Sequence, residues 1–111
     1  MAEPRIEPLF SSLGAQLIAA ERQRQIDAEG WTPEHDDEHS RGELCRAGVA
    51  YAITYVWQQF GVDDVEAGQP EDALEWPWEP SWYKPGRTAL DTLVKAGALI
   101  AAEIDRIHRA E

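Results

Sequence analysis

The stretch "TALDTLVKAGALIAAEIDRIHR", residues 88–109, decides the class of fold. Leu90, Leu93, Val94, Gly97, Ile100, Ala101, Ile104 and Ile107 recur in alternating steps of three and four, the spacing of one packed helix face. Thr88 precedes the run and Asp91 follows three residues later, which suits a helix start. A long helix over about 88–109 is therefore expected.

Upstream, Ser40-x-x-Glu43 has the pattern of a capping box and opens a second helix over about 40–60, stopped by Gly61. Leu44, Ala47, Gly48, Tyr51, Ala52 and Tyr55 form one face of it, and Val49, Ile53, Trp57 and Phe60 another. A helix apolar on two faces sits centrally, or between its own domain and a partner. The first helix spans about 10–28, with Leu13, Leu17, Ile18 and Ile26 as apolar positions and Gly30 as its stop. Gly48, Gly97 and the alanines permit close helix approach. No strand alternation and no repeat is found. The expected fold is a single all-α domain over residues 1–111, three helices with a long Trp/Pro-rich loop at 61–87, assembling as a helical homodimer.

Composition narrows the function. At 111 residues the chain makes one domain with a modest core, which gains from oligomerisation. A net charge of −11 argues against binding DNA or RNA through its phosphate backbone, which rewards clustered Lys and Arg. No apolar run approaches the roughly 18 residues of a membrane span, and "MAEPRIEPLF" lacks the organisation of a signal peptide. Cys45, the single cysteine, fits a reducing compartment and reads as a small buried residue. A cytoplasmic protein follows.

Three groups of residues carry candidate chemistry. Residues 34–43 hold five acids and two histidines. In a helical turn, Glu34 and Asp37 share a face, as do His35 and His39. Glu34, Asp36 and Asp37 have the oxygen chemistry of a Mg²⁺ or Mn²⁺ site, and the histidine pair with a carboxylate suits zinc or iron. The plainer reading has Thr32-Pro33 opening a turn and the acids solvated. Second, Glu21 and Gln25 continue an apolar stripe, as a buried polar site would; the alternative for Glu21 is a surface ion pair with Arg22, Arg24 or a later Arg. Third, a connection as long as 61–87 is functional or disordered. Its aromatics Trp76, Trp78, Trp82 and Tyr83, beside Lys84, are expected to fold back over the helices as a flap. There they could sandwich a base and meet a phosphate, or plug the core.

Four motifs, "ERQRQIDAEGWTPEHDDEHSRGEL" (21–44), "AGVAYA" (47–52), "WPWEPSWYKP" (76–85) and "LVKAGALIAAEIDRI" (93–107), resemble a family of small phage and prophage proteins. Some of its members are loosely grouped with MazG-like nucleotide pyrophosphohydrolases, all-α enzymes that hold Mg²⁺ through ExxE on one helix and ExxD on the next. Glu34-x-x-Asp37 matches the second element, whereas Glu21-x-x-Arg24 and Glu103-x-x-Arg106 depart from the first. The resemblance implies a nucleotide-handling protein of a bacterial cytoplasm. Glu21, Glu34 and Asp37 would be catalytic and Mg²⁺ or Mn²⁺ held by Glu34, Asp36 and Asp37. The ligand would lie among Gln25, Trp31, His35, His39, Trp76, Trp78, Trp82, Tyr83 and Lys84. The alternatives are a non-catalytic binder that sequesters nucleotide signals of host defence, and a protein–protein inhibitor of a host enzyme.

Overall fold

The computed structural model describes residues 12–61 and 76–111, and these are all-α, with no strand among them. The acidic half of the expected loop and the first residues of the expected first helix lie outside the described residues. No helix among the described residues is long and apolar enough to cross a membrane.

Helix α1 runs Leu13–Glu29; the Ser12 hydroxyl accepts from the Ala15 N–H at 3.1 Å, and Gly30 ends it at φ 74°. That left-handed conformation is nearly free for glycine and costly for other residues, so the chain turns there. A short helix α2, Pro33–Asp36, follows, with Thr32 as its cap and Pro33 in its first turn, where the missing N–H costs nothing. This is the turn that Thr32-Pro33 predicts.

The long helix α3 is Glu43–Phe60, and its start corrects the expected capping box. Ser40 lies outside the helix, the cap position is Gly42 at φ 83°, and no side chain caps it. Instead the Glu43 carboxylate reaches back and accepts from the Arg41 N–H at 2.6 Å. Gly42 takes the turn that a Ser40 cap would have required elsewhere. After a 3₁₀ turn at Pro80–Trp82, helix α4 runs Ala89–Ala110, with the Thr88 hydroxyl accepting from the Asp91 N–H at 3.1 Å as the sequence suggests.

Helix α4 packs chiefly along α3 and also along α1. The buried face of α4 is the main correction to the sequence reading. It consists of Thr92, Ala96, Leu99 and Ala102, with Ala98, while Leu90, Leu93, Ile100, Ile104 and Ile107 stay exposed. Small residues explain the choice: a Cβ on Gly48 would lie 3.0 Å from Ile100 Cγ1 and 3.1 Å from the Ala96 carbonyl oxygen, so α3 and α4 approach where side chains are short. Across the contact stand Leu44, Ala47 and Tyr51 of α3. Cys45 lies on the outer side of α3 and is exposed, contrary to the expectation of burial.

The chain enters α4 through Gly86, whose N–H donates to Thr92 Oγ1 at 2.9 Å. A Cβ there would stand 2.5 Å from Asp91 Cβ and 2.7 Å from the Thr92 nitrogen, against backbone that cannot move aside. Gly86→Ala is expected to cost about 1–3 kcal/mol, as overpacking does, and to lower the midpoint of thermal unfolding correspondingly.

A cationic cavity in an acidic protein

Residues 76–84 pack against α3. Tyr83 stacks on Tyr51 with ring centroids 5.4 Å apart and planes 8° from parallel, and Trp76 meets both rings edge-on. The Tyr83 and Thr54 hydroxyls are hydrogen-bonded to each other, and the Tyr51 hydroxyl accepts from the Lys84 N–H at 3.0 Å. Burial pushes the Tyr51 phenol up to about 12, so it stays protonated through the neutral range. Trp76, Trp78 and Tyr83 thus join the core edge, whereas Trp82 is 55% exposed. This arrangement fixes the backbone of Lys84 above α3.

Beneath it lies a cavity of about 240 Å³. Arg24, Lys84 and Lys95 bring three cations to its wall, and Trp31, Tyr51 and Trp82 bring aromatic surface. Gln25 and Glu29 complete the lining. The Lys95 ammonium donates to the Lys84 carbonyl oxygen at 2.6 Å and lies 5.8 Å from the Tyr51 ring centroid. Burial lowers the Lys95 pKa below the usual lysine value, and neighbouring Arg24 and Lys84 act in the same direction against Glu21 and Glu29.

Behind this wall, Glu21 and Arg24 form a two-pronged ion pair at 2.7 and 2.9 Å, with Glu29 3.2 Å from the same guanidinium. Burial alone would raise the Glu21 pKa, but hydrogen bonds and charge from Arg24, then Gln25 and Lys95, hold it below the usual value. The ion-pair alternative for Glu21 is the arrangement found. Gln25 is 1% exposed. Its Nε2 donates to Glu21 Oε2 at 3.1 Å, which fixes the amide's orientation because a carboxylate only accepts.

The acids of residues 34–37 are placed differently. Asp36 is 1% exposed and pairs with Arg22 at 3.1 Å. Asp37 is exposed and pairs with Arg109 at 2.7 Å; Glu34 is exposed. Among the described residues no group of three or more His, Cys, Asp or Glu is placed to hold a metal ion. These acids therefore do not fit the Mg²⁺ that the MazG resemblance implies, because both aspartates already neutralise arginines. His35 and His39 meet edge-on at 5.1 Å, and His39 packs against Trp78 at 5.2 Å. With Trp31 and Asp36 they enclose only about 10 Å³, room for about one water.

No family model, curated protein or solved structure matches the chain.

Of the residues singled out in the sequence, Gln25, Trp31, Trp82 and Lys84 converge on the cavity, whereas Glu21, Glu34, His35, Asp36, Asp37, His39, Trp76, Trp78 and Tyr83 do not line it. Arg24, Glu29, Tyr51 and Lys95 were missed. Lys95 lies three residues after Thr92 and four before Leu99, beside the buried face of α4, a position visible only once that face is known.

Proposed function

We propose that this chain is a phage-type nucleotide-handling protein that binds an anionic, ring-bearing ligand of nucleotide chemistry in the Arg24–Lys84–Lys95 cavity, in the bacterial cytoplasm. One observation carries the reading. In a chain of net charge −11, three cations and three aromatic side chains converge on one concavity. Cations at an aromatic wall match a phosphate joined to a base, and a local positive pocket attracts an anion whatever the distant acidic surface does.

Binding without turnover is better supported than pyrophosphohydrolysis. A metal-dependent hydrolase needs carboxylates free to hold the ion and orient water, whereas Glu21, Asp36 and Asp37 each face an arginine. A nucleotide present at about 100 times its Kd should stabilise the fold by about 2.7 kcal/mol and raise the melting temperature by roughly 10 °C or more. No pyrophosphate should be released with Mg²⁺ or Mn²⁺. Metal-dependent release from any nucleoside triphosphate would restore the enzymatic reading.

A homodimer is proposed from a separate observation. Leu93, Ile100, Ile104 and Ile107 form one outward stripe on α4, and Val49, Val56 and Phe60 one on α3, with Ile104 62% and Phe60 69% exposed. Apolar stripes of this kind suit an interface, and a second copy offers the same self-complementary face. Sedimentation should give a dimer for the wild type and a monomer for Ile104→Glu. A monomeric wild type would contradict the assembly and leave the face to a protein target, as the inhibitor alternative requires.

A further inference from the structure

We infer that Trp82 stacks on the base of the ligand at the mouth of the cavity, an inference resting on the cavity being a nucleotide site. Trp31, Tyr51 and Trp82 line that cavity, and the first two already have partners. Tyr51 is buried, stacks on Tyr83, meets Trp76 edge-on and has the Lys95 ammonium 5.8 Å from its ring centroid. Trp31 is half-buried and packs against Trp78 with ring centroids 6.4 Å apart. Among the described residues, Trp82 alone of the three has neither a ring nor a cation against it, and it is the exposed one.

A single exposed apolar side chain is ordinary on a protein surface, but the backbone that carries this one is pinned. Pro80 fixes φ in the 3₁₀ turn. The Glu79 carbonyl oxygen accepts from the Trp82 N–H at 2.9 Å and from the Trp76 indole N–H at 3.1 Å. The Tyr83 N–H donates to the Pro80 carbonyl oxygen at 3.1 Å, and Tyr83 and Lys84 are in turn anchored on Tyr51. The turn therefore presents an indole at the cavity with little ordering left for binding to impose, which favours affinity. Size places the parts of the ligand. About 240 Å³ lies below the ~300–1,000 Å³ of small-molecule sites, so part of a nucleotide stays outside. With the anionic end at the cationic wall, that part is the base, and it meets the exposed Trp82 ring. Every base has a π face, so this contact reads the presence of a base more than its identity.

Titration calorimetry on the full chain tests this with the four common nucleoside 5′-monophosphates and with ribose 5-phosphate, which keeps sugar and phosphate but lacks the base. The best monophosphate is expected to bind the wild type at least about tenfold more tightly than ribose 5-phosphate. Trp82→Ala should remove that advantage and leave ribose 5-phosphate affinity unchanged, whereas Trp82→Phe should keep most of it. Tryptophan fluorescence gives a second readout: quenching by the monophosphate should be much reduced in Trp82→Phe at similar affinity. If Trp82→Ala does not fold, that readout decides, and undiminished quenching overturns the role of Trp82. Equal wild-type binding of ribose 5-phosphate and every monophosphate overturns the stacking while leaving an anion site standing. Equal losses for both ligands in Trp82→Ala, or no loss for either, also overturn it, because the indole would then shape the pocket or face a protein partner. Failure of every monophosphate to bind overturns the nucleotide reading itself.

Discussion

Replacing Arg22 by methionine is expected to cost about 3–5 kcal/mol, the penalty for leaving a buried charge without its partner. Asp36 is 1% exposed and its Oδ2 lies 3.1 Å from Arg22 Nη2, with Arg22 itself largely covered. Burial raises the Asp36 pKa above the usual carboxylate value, and Arg22 is the strongest influence pulling it back, ahead of His35, Arg109 and His39. Removing Arg22 lets the carboxyl rise further. The sign of the pH dependence follows. A folded-state pKa above the unfolded value means that the protonated carboxyl favours folding, so stability is lost as pH rises through the raised value. The deficit of Arg22→Met should therefore shrink on acidification towards the usual carboxylate range and be largest at neutral pH. Arg22→Met/Asp36→Asn, which buries no ion, should recover much of the loss. Denaturant unfolding at two pH values checks all three statements. A single-mutant cost under about 1 kcal/mol, typical of an exposed pair, would show that Asp36 is solvated and free for other chemistry.

The largest expected effect on binding is at Lys84 and Lys95. Hydrogen bonds to charged groups contribute about 1.5–3 kcal/mol each, so Lys84→Ala/Lys95→Ala should weaken nucleotide binding about 100-fold or more. Lys95 contributes a pH signature of its own. Burial depresses its pKa, so its charge, and with it ligand affinity, should fall away at a lower pH than an ordinary lysine would give. Affinity should also decline with added salt, because the contact is between charges. Calorimetry of the double variant, against the wild type across pH, measures both effects. Unchanged affinity would place the ligand elsewhere.

The helices were legible because their signals are local. Gly30 and Gly61 stop α1 and α3, and Thr88 caps α4, where the sequence places them. The face of α4 was not legible, because periodicity marks large apolar residues and cannot tell an inner face from an outer one. Ala96 won the interior through the close approach permitted at Gly48, and Ala98 and Ala102 are buried too. Ser40-x-x-Glu43 failed as a box because Gly42 offers a competing turn, a choice that the spacing alone does not settle. In the site, Gln25, Trp31, Trp82 and Lys84 were found by chemical type. Arg24 and Lys95 were overlooked because single cations within helices ordinarily face water, and only the packing of Tyr51 beneath the Lys84 segment brings them to one cavity.

Nuclear magnetic resonance titration of the labelled protein with a nucleoside monophosphate tests the account most directly. Saturable shifts are expected at the Gln25 side-chain amide, the Trp31 and Trp82 indole N–H groups and the Lys84 and Lys95 amides, without divalent metal. Shifts confined to Glu34–Asp37 and dependent on Mg²⁺, or no shift at Gln25 and Lys95, would contradict it.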